Sequence, residues 1–363
     1  MMKQIKFYAP LLLVLTLLSA CNAERIAVPE RIQAFCIDFN WSGKGEFSMS
    51  MPEDYNIATA PSQYKWHEEH GVNTIQSFCV SHNGYAWYDS KIAPKVPGLK
   101  GNFLKELVDL GHKNNKLVMG YFSPAANLYW KQNNPTEVYD DNAMFHVVYT
   151  KKYLKYLDAV IREAIQVTGI DGFMIDAVFA TPGYANKKVK WLACEKEMYT
   201  ELFNKPFPGV ENISAAIEEE YLRRSLSRCW DVIYTATKET DPNCIIWVTA
   251  HDLQTPQLQG TKLLKQVDWL MNESFEPEKI KQVKGLVGKD TRLIQCVVGW
   301  GAQHNAKALF EDDDFKDMGF YGFAWPDIKT AFPPILETAG DNERFIGNAK
   351  NIAEMSKFYL SKD

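Results

Sequence analysis

Eight short runs rich in β-branched, aromatic and apolar residues recur along this chain, and stretches of helical periodicity separate them. The runs cover residues 34–41, 74–80, 116–122, 172–176, 245–249, 269–272, 292–298 and 319–324. Phe103, Leu104, Leu107, Val108 and Leu110 fall on one face of a helix ahead of the third run. Leu154, Leu157, Val160, Ile161, Ala164 and Ile165 do the same ahead of the fourth, with Gly169 placed where a helix stop is wanted. Leu222, Leu226, Trp230 and Ile233 stripe the helix ahead of the fifth, which is expected to end at Asp241-Pro242. Strands that read as nearly continuous apolar runs, alternating with helices, imply a parallel sheet buried on both faces. Eight such units, without a repeat period or linker, predict an α/β fold: a single (β/α)8 barrel over residues 33–360. A doubly wound sheet is the alternative, but no Gly-rich phosphate loop follows any of the strands.

Composition narrows the function. The 363 residues carry 40 Lys+Arg against 45 Asp+Glu, a net charge of −5 that gives no electrostatic reason to bind nucleic acid. A mean hydropathy of −0.29 excludes a polytopic membrane protein. Seven cysteines show no CxxC or Cys/His ligand spacing, so neither a metal nor a redox cofactor is expected. Cys36, Cys79 and Cys296 lie inside apolar runs, where a free thiol behaves as a small hydrophobe.

The first twenty residues read as an address. Lys3 and Lys6 precede an apolar stretch, residues 11–18, too short to span a bilayer. It ends in Leu18-Ser19-Ala20-Cys21, which resembles a bacterial lipoprotein box, where cleavage precedes an acylated cysteine. The expectation is a signal peptide over 1–20, lipidation at Cys21, a tether over 21–32, and a protein of the bacterial cell envelope. It would meet the membrane through its lipid anchor alone, in the periplasm or at the outer membrane.

In a barrel of this kind chemistry sits just after the strands. That rule selects Asp38, Asn40 and Trp41 after the first run, and the segment 81–90 after the second. Ser123-Pro124, with Asn127, Tyr129 and Trp130, follows the third. Asp176 ends the fourth, and alternation puts Gly172, Met174 and Asp176 on one face, so this carboxylate points into the barrel mouth. His251 and Asp252 follow the fifth, Glu273 the sixth, Trp300 and His304 the seventh, Trp325 and Asp327 the eighth. Carboxylates within a ring of Trp, Tyr, His and Asn suit a sugar with its many hydroxyls. Two carboxyls facing one bond are what glycoside hydrolysis needs: one attacks or activates water, the other protonates the leaving oxygen. Asp176 and Glu273 are the chosen pair, and Asp252 is the rival for the second place. Trp300 and Trp325 serve equally well as stacking platforms or as rim packing.

The stretch from Gln63 to Trp130 resembles glycoside hydrolase family 29, the alpha-L-fucosidases. The family's His-His-Asp-Gly-Phe after strand two, followed by Trp and Ser, is met here by Ser81-His82-Asn83-Gly84-Tyr85, then Trp87 and Ser90. Its Tyr-Tyr-Ser-Pro is met by Tyr121-Phe122-Ser123-Pro124, and its nucleophile strand Trp-Phe-Asp by Met174-Ile175-Asp176. Asn40-Trp41-Ser42 loosely matches the first strand's His-Trp-Gly. The likeness spans residues 33–180; beyond it, 191–208 and 268–273 look more like hypothetical glycosyl hydrolases of the same superfamily. Asn40 replaces a sugar-binding His, one of the paired histidines survives as His82, and too few residues follow Trp325 for the family's β-sandwich. The resemblance implies a retaining exo-glycosidase acting on terminal sugars of oligosaccharides or polysaccharides, fucose being one choice within the class. Asp176 would be the nucleophile and Glu273 the acid and base. Asn40, Trp41, His82, Trp87, Tyr121, Asp252, Trp300 and Trp325 would contact the sugar. A carbohydrate-binding barrel lipoprotein without catalysis is the alternative.

Overall fold

The computed structural model describes residues 25–42, 49–139, 146–176, 178, 191–252, 255–274, 276–298 and 306–361. Eight parallel strands close into one barrel in sequence order: β1 Gln33–Ile37, β2 Thr74–Val80, β3 Leu117–Phe122, β4 Gly172–Ile175, β5 Ile245–Ala250, β6 Trp269–Asn272, β7 Arg292–Val298 and β8 Gly319–Ala324. β8 pairs with β1 along five residues, from Gln33↔Phe320 to Ile37↔Ala324, and seals the cylinder. The predicted (β/α)8 fold is therefore the observed one. Four strands have the predicted bounds. β1 is shorter than expected, because Asp38 Oδ1 accepts the Asn40 N–H at 2.9 Å and turns the chain out of the sheet.

The long helices sit where periodicity places them. Lys151–Thr168 starts under a Thr150 side-chain cap on the Tyr153 N–H and stops at Gly169, whose φ of 71° is left-handed. Ala215–Thr240 starts under Ser214, and its Leu222, Leu226, Trp230 and Ile233 are buried. The second half is leaner than eight equal units imply. Between β5 and β8 the described helices are the short α segments Leu263–Gln266, Glu278–Val283 and Ala306–Phe310 and the 3-10 turn Asp313–Phe315, with Pro256, Gly260, Pro277, Gly285 and Gly288 flanking the first two. Glu343–Leu360 closes the seam, with Tyr359 donating to the Phe320 carbonyl at 2.8 Å and its ring against Phe35. The six cysteines among the described residues are free, and five of them are buried.

The two ends of the barrel are built differently. At the strand starts, polar side chains tie adjacent strands together. Asn73 Oδ1 accepts the Gln33 N–H at 2.9 Å. Asp171 Oδ2 accepts the Val118 N–H at 2.7 Å, and Asp268 Oδ2 accepts the Ile246 N–H at 2.8 Å. Arg25 pairs with Asp241 at 2.9 Å, and Arg292 donates to the Pro29 and Glu30 carbonyls, so the entering chain is pinned across this floor. Inside the barrel the packing includes amides as well as hydrocarbon: Asn272 donates to Gln295 at 3.0 Å and Tyr321 to Gln76 at 2.8 Å, each buried group thereby satisfied. The ends of the strands are left to carry the site.

Candidate active site

The strand ends bring Asp38, Asp176 and Glu273 to one pocket. Its floor is set by the inward residues Cys36 on β1, Gln76 on β2, Met174 on β4 and Tyr321 on β8, and its walls by Asn40, Trp41, Met49, His82, Tyr121 and Phe323. Met174 and Asp176 line it together, as strand alternation requires. The enclosed space is about 40 Å³, enough for a few ordered waters.

Asp176 is held from two sides. Its backbone N–H donates to the Phe122 carbonyl at 2.9 Å, continuing the β3–β4 ladder. Its Oδ2 accepts the Tyr121 hydroxyl at 2.7 Å. Burial and the neighbouring charges of Asp176 and Asp38 push the Tyr121 phenol up, so it is a donor throughout the ordinary pH range. Such a bond fixes the rotamer of Asp176.

Glu273 is nearly buried, and its Oε2 lies 3.7 Å from His251 Nε2. Burial, then the charge of Asp176, then that of Asp38 raise its pKa well above the usual carboxylate range, against a lowering hydrogen bond from Thr249. Burial also lowers the His251 pKa, against the raising charge of Asp176. The two carboxyls thus sit in different environments: Asp176 accepts a phenol hydroxyl, while burial and the charge of Asp176 raise the pKa of Glu273.

Asn40 is a hub of the rim. Its Oδ1 accepts the His82 N–H at 3.1 Å, and its carbonyl accepts the Ser50 N–H at 2.7 Å. Trp41 faces the pocket, bridges to Met49 and lies 5.8 Å from the Trp325 ring.

Of the sequence-selected residues, Asp176, Glu273, Asn40, Trp41, His82 and Tyr121 come together in this pocket. Three others do not line it. Trp87 stacks on Phe39 with ring centroids 4.8 Å apart, lies against Phe103 and donates its indole N–H to Ser81, so it is core packing beneath the loop. Trp325 is buried behind Trp41 with the Arg344 guanidinium 4.4 Å over its ring, the packing role rather than a stacking platform. Asp252 is exposed, one residue beyond His251, while Glu273 occupies the pocket. Trp300, His304 and Cys21 lie outside the described residues. Asp38 was visible as a rim position after the first run but not as a member of the site; Gln76, Tyr321 and Phe323 gave no such signal, being inward strand residues.

No family model matches the chain, and no curated protein does. Among solved structures it is similar to alpha-L-fucosidase isoenzyme 2 from Paenibacillus thiaminolyticus, with 13% identity and a TM-score of 0.60 over 89% of this chain and 49% of that one. The chain thus spans about half the length of that enzyme. It is also similar to the PgaB (BpsB) glycoside hydrolase domain from Bordetella bronchiseptica, with 9% identity and a TM-score of 0.52 over 84% of this chain and 96% of that one. An Anoxybacillus alpha-amylase matches with 14% identity and a TM-score of 0.52 over 91% and 78% of the two chains. At such identities the likeness is one of fold, and these three structures are named as an alpha-L-fucosidase, a glycoside hydrolase domain and an alpha-amylase of a glycosyl hydrolase subclass.

Proposed function

We propose that this protein is a retaining exo-glycosidase of the cell envelope, alpha-L-fucosidase-like, that removes terminal sugars from oligosaccharides or polysaccharides. The observation that carries the reading is the meeting of Asp176 and Glu273 in one buried pocket, with Glu273 pushed toward its protonated form. Asp176 attacks the anomeric carbon as the glycosidic C–O bond breaks, and the Glu273 proton passes to the departing oxygen. A glycosyl ester on Asp176 results. Glu273, now ionised, takes a proton from water, whose oxygen attacks the same carbon and releases the sugar with net retention. Tyr121 orients Asp176, and Asn40, Trp41 and His82 hold the ring. No step calls on a metal or a redox group. The lipoprotein-like stretch ending at Cys21 supports export and a lipid tether.

The test is a panel of aryl glycosides, α-L-fucoside, α- and β-galactoside and β-hexosaminide, followed by the 2-fluoro glycoside of the best substrate. Turnover with retention, and mass-spectrometric labelling of a peptide containing Asp176, is the expected result. A label on another carboxylate, or inversion seen by NMR, overturns the mechanism. Sugar binding without turnover of any glycoside would instead establish a carbohydrate-binding barrel.

A further inference from the structure

The chemistry above uses two carboxylates, and the pocket holds a third. Asp38 follows β1, and its backbone N–H donates to the Ala324 carbonyl at 3.0 Å across the β1–β8 seam. Its Oδ1 accepts the Asn40 N–H, which leaves the side chain anchored before any ligand arrives. It is 9% exposed and lines the same cavity as Asp176 and Glu273. A turn-forming role alone does not account for it. The carboxyl accepts from the Asn40 N–H and from the Trp41 side chain; an asparagine keeps the acceptor that the turn itself needs, whereas a carboxyl buried beside Asp176 is unfavourable.

We propose that Asp38 is the residue that reads the substrate: it bonds an unsubstituted hydroxyl on the edge of the sugar ring facing β1. This rests on the glycosidase reading and names the substrate class, a ring without an N-acetyl group or O-linked branch on that edge. Three features support it. Asn40, Trp41 and Met49 line the same cavity as Asp38, so the carboxyl lies among polar and aromatic groups of the kind that hold a sugar ring. A carboxyl serves a hydroxyl in either protonation state, since the ionised form accepts and the neutral form donates. Burial, then the charge of Asp176, push Asp38 up to about 7, against the lowering hydrogen bonds from the Asn40 N–H and the Trp41 side chain. Groups held so far from their ordinary state gather at functional sites.

The titratable groups facing Asp38 are Asp176 after β4, Glu273 after β6, Tyr121 on β3, Tyr321 on β8, Cys36 on β1 and Tyr55 from the following loop. Of these the two carboxyls are coupled to Asp38 by charge, so the experiment compares Asp38→Asn with wild type at fixed pH. A carboxyl raised in the folded state contributes its stability at low pH and loses it as pH rises through 7. Asp38→Asn therefore raises the melting midpoint by about 3 °C or more at pH 8, and by less at pH 5. A lower midpoint at both pH values makes Asp38 a structural turn residue and overturns the proposal.

The second arm is kinetic. On the aryl glycoside that the wild type hydrolyses best, Asp38→Asn lowers kcat/KM by about 10²-fold or more, and the deficit shrinks on the monodeoxy analogue that lacks the hydroxyl being read. An equal deficit on the parent and on every monodeoxy analogue overturns the assignment. If the wild type hydrolyses no glycoside, the glycosidase reading falls, and titration of L-fucose, D-galactose and D-glucose into both proteins decides the role of Asp38. Binding weakened by about tenfold in Asp38→Asn upholds it; equal binding, or none to either protein, overturns it.

Discussion

The Tyr121 hydroxyl donates a 2.7 Å hydrogen bond to Oδ2 of Asp176, joining the end of β3 to the end of β4 within the pocket. Removing it leaves a carboxylate with one fewer donor and a freer rotamer. Tyr121→Phe keeps the ring against Phe78 and so keeps the packing. The expected result is a fall in kcat of about tenfold to a hundredfold, the equivalent of one charge-assisted bond of about 1.5–3 kcal/mol, with an unchanged fold by circular dichroism. A variant as active as wild type would remove Tyr121 from the mechanism.

Glu273 gives a prediction in pH and in leaving group. Because its pKa is raised, chiefly by burial, it is protonated at pH values where an ordinary glutamate is ionised. Activity that requires this proton is present below that raised pKa and declines as pH rises through it, so Glu273→Gln should flatten the alkaline limb of kcat/KM. Glu273→Ala should lose about 10²–10⁴-fold on glycosides with poor leaving groups and much less on an activated aryl glycoside, with azide restoring turnover. Uniform loss without rescue would shift the acid role away from Glu273.

The floor predicts stability without activity. Asp171 accepts bonds from the Val118 N–H and from His112 Nε2, the latter at 2.9 Å. Asp171→Ala should cost about 1–3 kcal/mol of stability and leave kcat unchanged, since the site lies at the other end of the strands. The Asp171 hydrogen bond raises the His112 pKa, so its contribution is complete below the ordinary histidine pKa and disappears as pH rises through the raised one. The His112 side chain is 38% exposed, so that part is small. Denaturant melts of wild type and variant, compared across this range, should converge slightly with rising pH.

The address predicts fractionation. Cys21→Ser should release the protein from membranes or stall its processing, and wild type should partition into the detergent phase. A wild-type protein found wholly in the aqueous phase contradicts the lipid.

How far the sequence reaches can be seen residue by residue. β2, β6, β7 and β8 could be bounded from the string because their apolar runs end abruptly at turn residues, and a strand buried on both faces tolerates little else. Asp176 could be aimed because a period of two fixes its face once Met174 is inside. Trp87 could not be placed. Whether a loop indole turns up toward a ligand or down onto Phe39 depends on contacts made by residues far along the chain. Asp38 shows the complementary failure: its place at the rim is local, but its company with Asp176 and Glu273 is created only when β1, β4 and β6 close into one ring. The short helices Leu263–Gln266 and Glu278–Val283 were legible in principle, since proline and glycine flank them.

The pinning of Arg25 to Asp241 has a consequence for orientation. Both residues sit at the strand-start end of the barrel, so whatever precedes Arg25 leaves from the pole opposite the three carboxylates. Cys21 stands four positions before Arg25, a reach of at most about 14 Å for extended chain. An acyl group on that cysteine would draw the floor of the barrel against the lipid and turn the pocket outward, where the ends of long glycans arrive without having to pass between protein and membrane.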